Sequence, residues 1–336
     1  MKDQKIQRKI TVMAVFVILI VIAFLISVNT GHIRLSPSEV IYTLFGKGTD
    51  KQNLILFDFR LPRIVLSILV GAALAISGTV LQGLSRNALA DPGILGINAG
   101  AGLMVLLYVA FFPNASGGSI LFLPILAWVG AAATATVIYG LSYKRDEGIS
   151  PTRLLLTGIA VAAGISSFTI VITLMLSPDE YQFVATWMAG SIWGSTWMYV
   201  VAFLPFLIVL TPFTMYKASV LNILNMGDEL ASGLGVAVER ERRWLLFAAV
   251  GLAGSAVSVS GGIGFVGLIA PHLVRSLIGP KHQFLLPTVA LVGGFLVLLA
   301  DTIGRSILQP SEVPAGIVVA VIGAPYFLYL LARSKT

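Results

Sequence analysis

Cysteine is absent from the chain, which rules out disulfides and thiolate metal sites. Histidine is nearly absent. His32, His272 and His282 lie too far apart in sequence to show metal-ligand spacing. Charge is scarce as well, at 11% of residues, where a soluble domain carries about a quarter. No phosphate-binding loop of the form GxxxxGK[ST] occurs anywhere, so this polypeptide does not hydrolyse ATP by that route.

What remains is apolar. Hydrophobic residues make up 57% of the 336, and the mean hydropathy is +0.93. The few charges are gathered into short clusters, leaving uncharged stretches near the ~20 residues that a bilayer-crossing helix needs. Such stretches predict an all-α, polytopic transmembrane bundle of about ten spans in a single domain. They are placed at 10–28, 64–84, 92–112, 120–143, 154–177, 197–216, 244–260, 264–278, 285–300 and 314–332. The run at 10–28 follows Lys2, Lys5, Arg8 and Lys9, as a signal peptide would. It is long, however, and Ser27-Val28-Asn29-Thr30 is a poor cleavage site, so a retained first span is expected. The boundary at 244–271 is the weakest, and Gly261, Gly262 and Gly264 argue for a break there.

The net charge of +7 reads as topology rather than as a nucleic-acid surface. If the N-terminus is cytoplasmic and the spans alternate, 16 of the 22 Lys and Arg fall on the cytoplasmic side and six on the other. The acids divide eight to seven, giving +8 inside and −1 outside. That obeys the positive-inside rule and places both basic termini in the cytoplasm. A shift of 180 residues aligns Arg63, Leu66, Gly71, Ala73 and Ala90 with Arg243, Leu246, Gly251, Ala253 and Ala270. This weak match is compatible with the duplicated halves of many transporters.

Polar residues narrow the function. Asp91, Asp179, Glu180, Asp301 and Glu312 all fall at span ends or in loops, whereas an ion-coupled transporter needs an intramembrane acid or an unwound ion-binding segment. On the fifth span Gly158, Ala162, Ser166, Thr169 and Thr173 step by three or four residues and share one helix face. That stripe is either a wall of a translocation path or a helix–helix contact, whereas the glycine pairs Gly96/Gly100 and Gly190/Gly194 read as close helix packing. In the longest cytoplasmic loop, 217–243, Asp228 and Glu229 suit a helix N-terminus and Gly235 a helix end. Ala231, Gly233 and Leu234 lie between them, and Arg240, Arg242 and Arg243 follow. A short helix here is placed to lie on the bilayer or to dock on a cytoplasmic partner.

A set of motifs runs through nearly the whole chain in a fixed order. It starts with Arg60-Leu61-Pro62-Arg63, the glycine-bearing stretch 71–78 leading to Gln82, and 87–92 followed by Gly93-Ile94-Leu95-Gly96. It continues with Trp187-Met188-Ala189-Gly190-Ser191, then Gly264-Phe265-Val266-Gly267-Leu268 with Pro271-His272 and Arg275, and Leu286-Pro287. It ends with Ala300-Asp301, Glu312-Val313-Pro314-Ala315-Gly316 and Gly323-Ala324-Pro325. In this the chain resembles the permease family of iron-siderophore, haem and vitamin B12 ABC importers. Two departures are Ala88, where the family often has proline, and Pro280-Lys281-His282-Gln283, which lacks the acid and arginine usually flanking that histidine.

The resemblance implies a multi-pass protein of the bacterial cytoplasmic membrane, without catalytic residues or cofactor. Its implied partners are a second permease subunit, identical or paralogous, two cytoplasmic ATPases and an extracytoplasmic solute-binding protein. It implies that Arg60, Arg63 and Arg305 receive acidic residues of the binding protein, and the charge-derived topology puts all three outside. It also implies that Asp228, Glu229, Ala231, Gly233, Leu234 and Gly235 belong to the helix receiving the ATPase stroke. The Gly158–Thr173 stripe then leans toward the path. The expected cargo is a ferric siderophore, hydroxamates preferred, with haem or a corrinoid as the alternative. An ion-coupled secondary transporter and a non-transporting scaffold are the rival classes.

Overall fold

The computed structural model describes residues 2–31, 35–93, 96–112, 122–144, 148–308 and 311–333. His32, Arg34, Ile94, Leu95, Arg145, Lys335 and the start of the expected fourth span lie outside the described residues.

The chain opens with α1 (Lys2–Asn29), α2 (Pro37–Leu44) and α3 (Asp50–Asn53). A π-helical turn (Leu54–Arg60) then leads without interruption into α4 (Leu61–Ser85). After α5 (Ile97–Phe111) and α6 (Phe122–Ser142) comes the only regular pairing among the described residues. It is a two-residue hairpin of β1 (Tyr143–Lys144) and β2 (Gly148–Ile149). Next are α7 (Pro151–Thr173), α8 (Pro178–Met188), α9 (Trp197–Tyr216), α10 (Ala218–Leu224) and α11 (Asp228–Gly233). The last four are α12 (Val238–Ser260), α13 (Val266–Ile278), α14 (His282–Ile307) and α15 (Ala315–Arg333). Among the described residues seven helical stretches are long and apolar enough to cross a membrane, and α5, α13 and the 315–328 part of α15 are shorter apolar helices.

The core is built around α4, which carries apolar residues on every side and is buried by its neighbours, its few polar side chains included. Helices α12, α13 and α14 surround it. Close approach explains several of the glycines. A Cβ on Gly71 would lie 2.1 Å from the Gly293 carbonyl oxygen, and one on Gly293 would lie 2.2 Å from that of Gly71. Two backbones therefore touch where α4 meets α14, the contact that small residues make possible in lipid, where no hydrophobic effect drives helices together. Gly100 packs in the same way against Gly130, and the Gly190 carbonyl accepts the Gly316 N–H at 2.9 Å. Gly194 borders open space instead.

Helix α1 sits at the rim. Its Phe16 meets Phe295 edge-on at 6.1 Å, and the Lys9 ammonium lies 4.0 Å above the Phe284 ring, both on α14. The chain does break at 261–265. Helix α12 ends at Ser260, Gly261 takes φ +67° and Phe265 φ +66°, and α13 begins at Val266.

Three short helices lie between the long ones at positions where no element was expected. Ser36/Glu39, Thr49/Gln52 and Ser177/Glu180 each form a reciprocal capping box opening α2, α3 and α8. The expected fifth span accordingly ends at Thr173 rather than 177, because Ser177-Pro178 starts α8.

Candidate functional site

The three arginines expected to face a partner converge at one end of the bundle, but they are buried, at 6% (Arg60), 9% (Arg63) and 5% (Arg305) exposure. The π-helical turn brings Arg60 against the end of α1, where its guanidinium donates to the Val28 carbonyl. Three residues on, Arg63 faces α14. Its Nε and a terminal nitrogen reach Asp301 at 2.9 and 2.8 Å, and its other terminal nitrogen reaches Glu312 at 2.8 Å. Arg305, one turn after Asp301, stands 3.2 Å from the same carboxylate and donates to the Ser27 hydroxyl. The carbonyls that α1 leaves unpaired at its C-terminus are thus held by two guanidinium groups, which also oppose the negative end of the helix dipole.

This changes the expectation for Asp301. The apolar run stops at Ala300, so a sequence reading ends the span there; the helix continues to Ile307 and holds Asp301 inside it at 1% exposure. A carboxylate survives there because two guanidinium groups neutralise it and satisfy its oxygens. Glu312 is different, its side chain remaining 32% exposed.

At the opposite end, α10 and α11 form a compact unit beneath α4 and α14. Helix α11 begins at Asp228, as the acids suggested, with Gly227 as its N-cap. Asp228 also accepts from Arg242 at 2.9 Å and Arg86 at 3.1 Å, tying α11 to α12 and to the end of α4. Its C-terminus closes as a Schellman motif. Val236 N–H donates to Ala231 O at 3.0 Å and Gly235 N–H to Ser232 O at 2.9 Å, with Gly235 at φ +82°. Ala231 is fully buried and anchors the helix. Glu229, Gly233, Leu234 and Gly235 are exposed. Met226, Leu230 and Leu234 are 60%, 57% and 63% exposed, an apolar cluster at the tip of the loop.

Behind this unit, Asn222 on α10 accepts from the His282 backbone N–H at 3.0 Å and pairs with His282 Nδ1 at 2.8 Å. Gln283 adds contacts to Asn222 and Ser219. Neither its spacing from the other histidines nor the family pattern it departs from gives His282 a role. In the fold it is fully buried and joins the start of α14 to α10.

The stripe on α7 divides. Gly158 and Thr169 are buried, Ala162 and Thr173 half-buried, and Ser166 exposed. Helix α7 packs on α5 and α6, and Ala162 lies 3.7 Å from where a Cβ on Gly96 would stand. Its buried part is therefore a helix–helix contact.

Asp91 also went unmarked as more than a span-end acid. It is 8% exposed, accepts the Gly93 N–H at 2.7 Å, and sits beside Gly267 in the first turn of α13. An acid there complements the N-terminus of that helix.

Comparison with known proteins agrees with this architecture. The chain is 49% identical over 335 residues to the iron(3+)-hydroxamate import system permease protein FhuG of Bacillus subtilis (strain 168), covering 98% of this chain and 99% of that one. It is 39% identical over 320 residues to the hemin transport system permease protein HmuU of Yersinia pestis, covering 95% and 94%. A solved structure described as an inward-facing conformation of a metal-chelate type ABC transporter superposes with a TM-score of 0.84 at 30% identity, covering 96% of this chain and 99% of that one. The chain is thus an integral membrane protein and a transport component rather than an enzyme. The family description matching residues 19–333 is that of the FecCD transport family, to which this chain belongs.

Proposed function

We propose that the chain is the membrane-spanning permease subunit of an ATP-driven importer that carries a ferric siderophore, of the hydroxamate class, into the bacterial cytoplasm. The observation that carries this reading is the 49% identity to an iron(3+)-hydroxamate permease along essentially the entire length of both chains. Ten spans with both termini cytoplasmic make up the proposed topology: the seven long stretches plus α5, α13 and α15. That count keeps the basic N-terminal segment and the 217–243 loop on one side of the membrane.

The assembly we propose pairs this chain with a second permease subunit, two cytoplasmic ATPases and an extracytoplasmic binding protein. The apolar tip of α11 (Met226, Leu230, Leu234) seats on an ATPase, and motion there passes through Asp228 to α12 and through α10 and His282 to α14. On the other side, Arg63 and Arg305 already have carboxylate partners. An acid of the binding protein therefore acts by exchange, displacing the half-exposed Glu312 from Arg63 rather than meeting a bare cation. The exposed part of the α7 stripe around Ser166 is assigned to the path.

The test is uptake of a panel of iron-55-loaded siderophores by cells with and without the chain, repeated with Arg60→Glu, Arg63→Glu and Arg305→Glu. Loss of hydroxamate uptake alone on deletion supports the reading. Unchanged uptake of every iron chelate refutes it and turns attention to haem, which a 39%-identical relative is named for.

A further inference from the structure

Helices α6 and α9 both pack on α12, but the three do not fill the space between them. Between them lies a cavity of about 710 Å³. It exists because the facing positions are small. Ala132 and Ala135 line it from α6, Gly251 and Gly254 from α12, while Val209 and Phe247, each more than 60% exposed, form its lips toward the lipid. Almost every lining atom is apolar, except at one end, where Tyr139 and Arg243 stand. Among the described residues Arg243 has no ion-pair partner, whereas its neighbour Arg242 is shared between Asp228 and Glu239.

The dimensions are those of one leaflet. On α12 the lining runs from Arg243 to Gly254 and on α6 from Tyr139 to Trp128, in each case a rise of roughly 16 Å. Half of a typical bilayer's hydrocarbon core is about 15 Å. The charged end lies at headgroup depth, since Trp244 is exposed beside Arg243 and Tyr139 stacks on Tyr143 at 6.2 Å, and such aromatics gather at the membrane interface. A groove one acyl chain long, apolar along its length and ending in a guanidinium that has no ion-pair partner among the described residues, matches an amphiphile with a negatively charged head.

We propose that this groove is a binding site for an anionic glycerophospholipid, one acyl chain lying between α6, α9 and α12 and its phosphate held by Arg243. Arginine suits this role because its planar fork binds two phosphate oxygens at once and it carries its charge at any physiological pH.

The test uses the full chain in phosphatidylcholine nanodiscs containing a minor fraction of chain-brominated phosphatidylglycerol or, at the same fraction, chain-brominated phosphatidylcholine. Bromine quenches nearby tryptophan, and Trp128 lines the inner end of the groove; the difference between the protein and its Trp128→Phe variant isolates that residue. One basic residue at an anionic surface favours the charged lipid about fivefold. When the brominated fraction is raised, quenching of Trp128 by the phosphatidylglycerol should therefore reach half-maximum at a labelled-to-unlabelled lipid ratio about one fifth of that needed with brominated phosphatidylcholine. Arg243→Ala should bring the two lipids level, Arg243→Lys should keep most of the preference, and Ala135→Phe should abolish quenching by both. Arg243 is exposed, so its replacement leaves the fold intact. Equal quenching by the two lipids in the unaltered protein, or an undiminished preference in Arg243→Ala, overturns the proposal. Absence of quenching by either lipid also overturns it, because another protein surface then covers the groove.

Discussion

Asp301→Asn is the most informative single change in the molecule. The carboxylate is 1% exposed and supports two guanidinium groups, Arg63 at 2.8 and 2.9 Å and Arg305 at 3.2 Å. The amide keeps one acceptor oxygen but loses the charge, leaving two buried cations with only Glu312 to share. Removing one partner of a buried pair costs about 3–5 kcal/mol; the retained acceptor puts Asn at the lower end, about 3 kcal/mol, or more than a hundredfold in the folding equilibrium. Glu312→Gln, at a side chain 32% exposed to solvent, should cost only about 0.5–1 kcal/mol. Arg305→Met should fall between, since Asp301 keeps Arg63 while α1 loses a cap. The assay is equilibrium unfolding of each variant by SDS in mixed micelles, followed by circular dichroism. Replacing Arg63, Asp301 and Arg305 together by Met, Leu and Met should recover most of the loss, because no buried charge is then left unpaired. If Asp301→Asn and Glu312→Gln unfold at the same SDS fraction, the carboxylate is hydrated and the reasoning fails.

Gly71→Ala should separate α4 from α14 and cost about 1–3 kcal/mol as an overpacked contact, while Gly140→Ala, with nothing within 4 Å, should stabilise α6 by about 0.5–1 kcal/mol; the same SDS titration distinguishes them. Leu230→Glu with Leu234→Glu should leave folding unchanged yet lower substrate-stimulated ATP hydrolysis of the assembled transporter at least tenfold, and unaltered hydrolysis would show that this face meets nothing. Hydrogen bonds from Ser36 hold the Glu39 carboxyl below its ordinary value. The cap is therefore fully present above the unfolded carboxyl value of about 4.3 and is lost as pH falls through the lower folded value. Amide exchange across 37–41, corrected for intrinsic rates, should accelerate only below that range, and in Glu39→Gln it should show no such step.

The long helices were legible because bilayer-length apolar runs leave few alternatives, and the break before Val266 was legible because three glycines crowd five positions. Helix α11 was readable for the same local reason: Asp228 and Gly235 carry the signals of its two ends. The short helices α2, α3 and α8 were equally readable, since Ser36-Pro37-Ser38-Glu39, Thr49-Asp50-Lys51-Gln52 and Ser177-Pro178-Asp179-Glu180 are all capping boxes; a search confined to hydropathy passes over them. The burial of the arginines is another matter. Arg63 finds its carboxylates 238 and 249 residues away, and no local pattern announces a pairing of that kind. The charge count places these residues on the outer side, but pairing depends on which helices become neighbours. The α7 stripe shows the same limit: a periodicity identifies a face without saying what covers it.

The clamp on α1 also bears on how the protein is made. Ser27 and Arg305 are 278 residues apart, so at a synthesis rate of about 5–20 residues per second the first helix, already capped by Arg60, waits roughly 15–55 s for the second group of its clamp. Throughout that interval α1 stands in the bilayer without its final neighbour. It is the most apolar of the seven long stretches, which equips it to be stable alone in lipid.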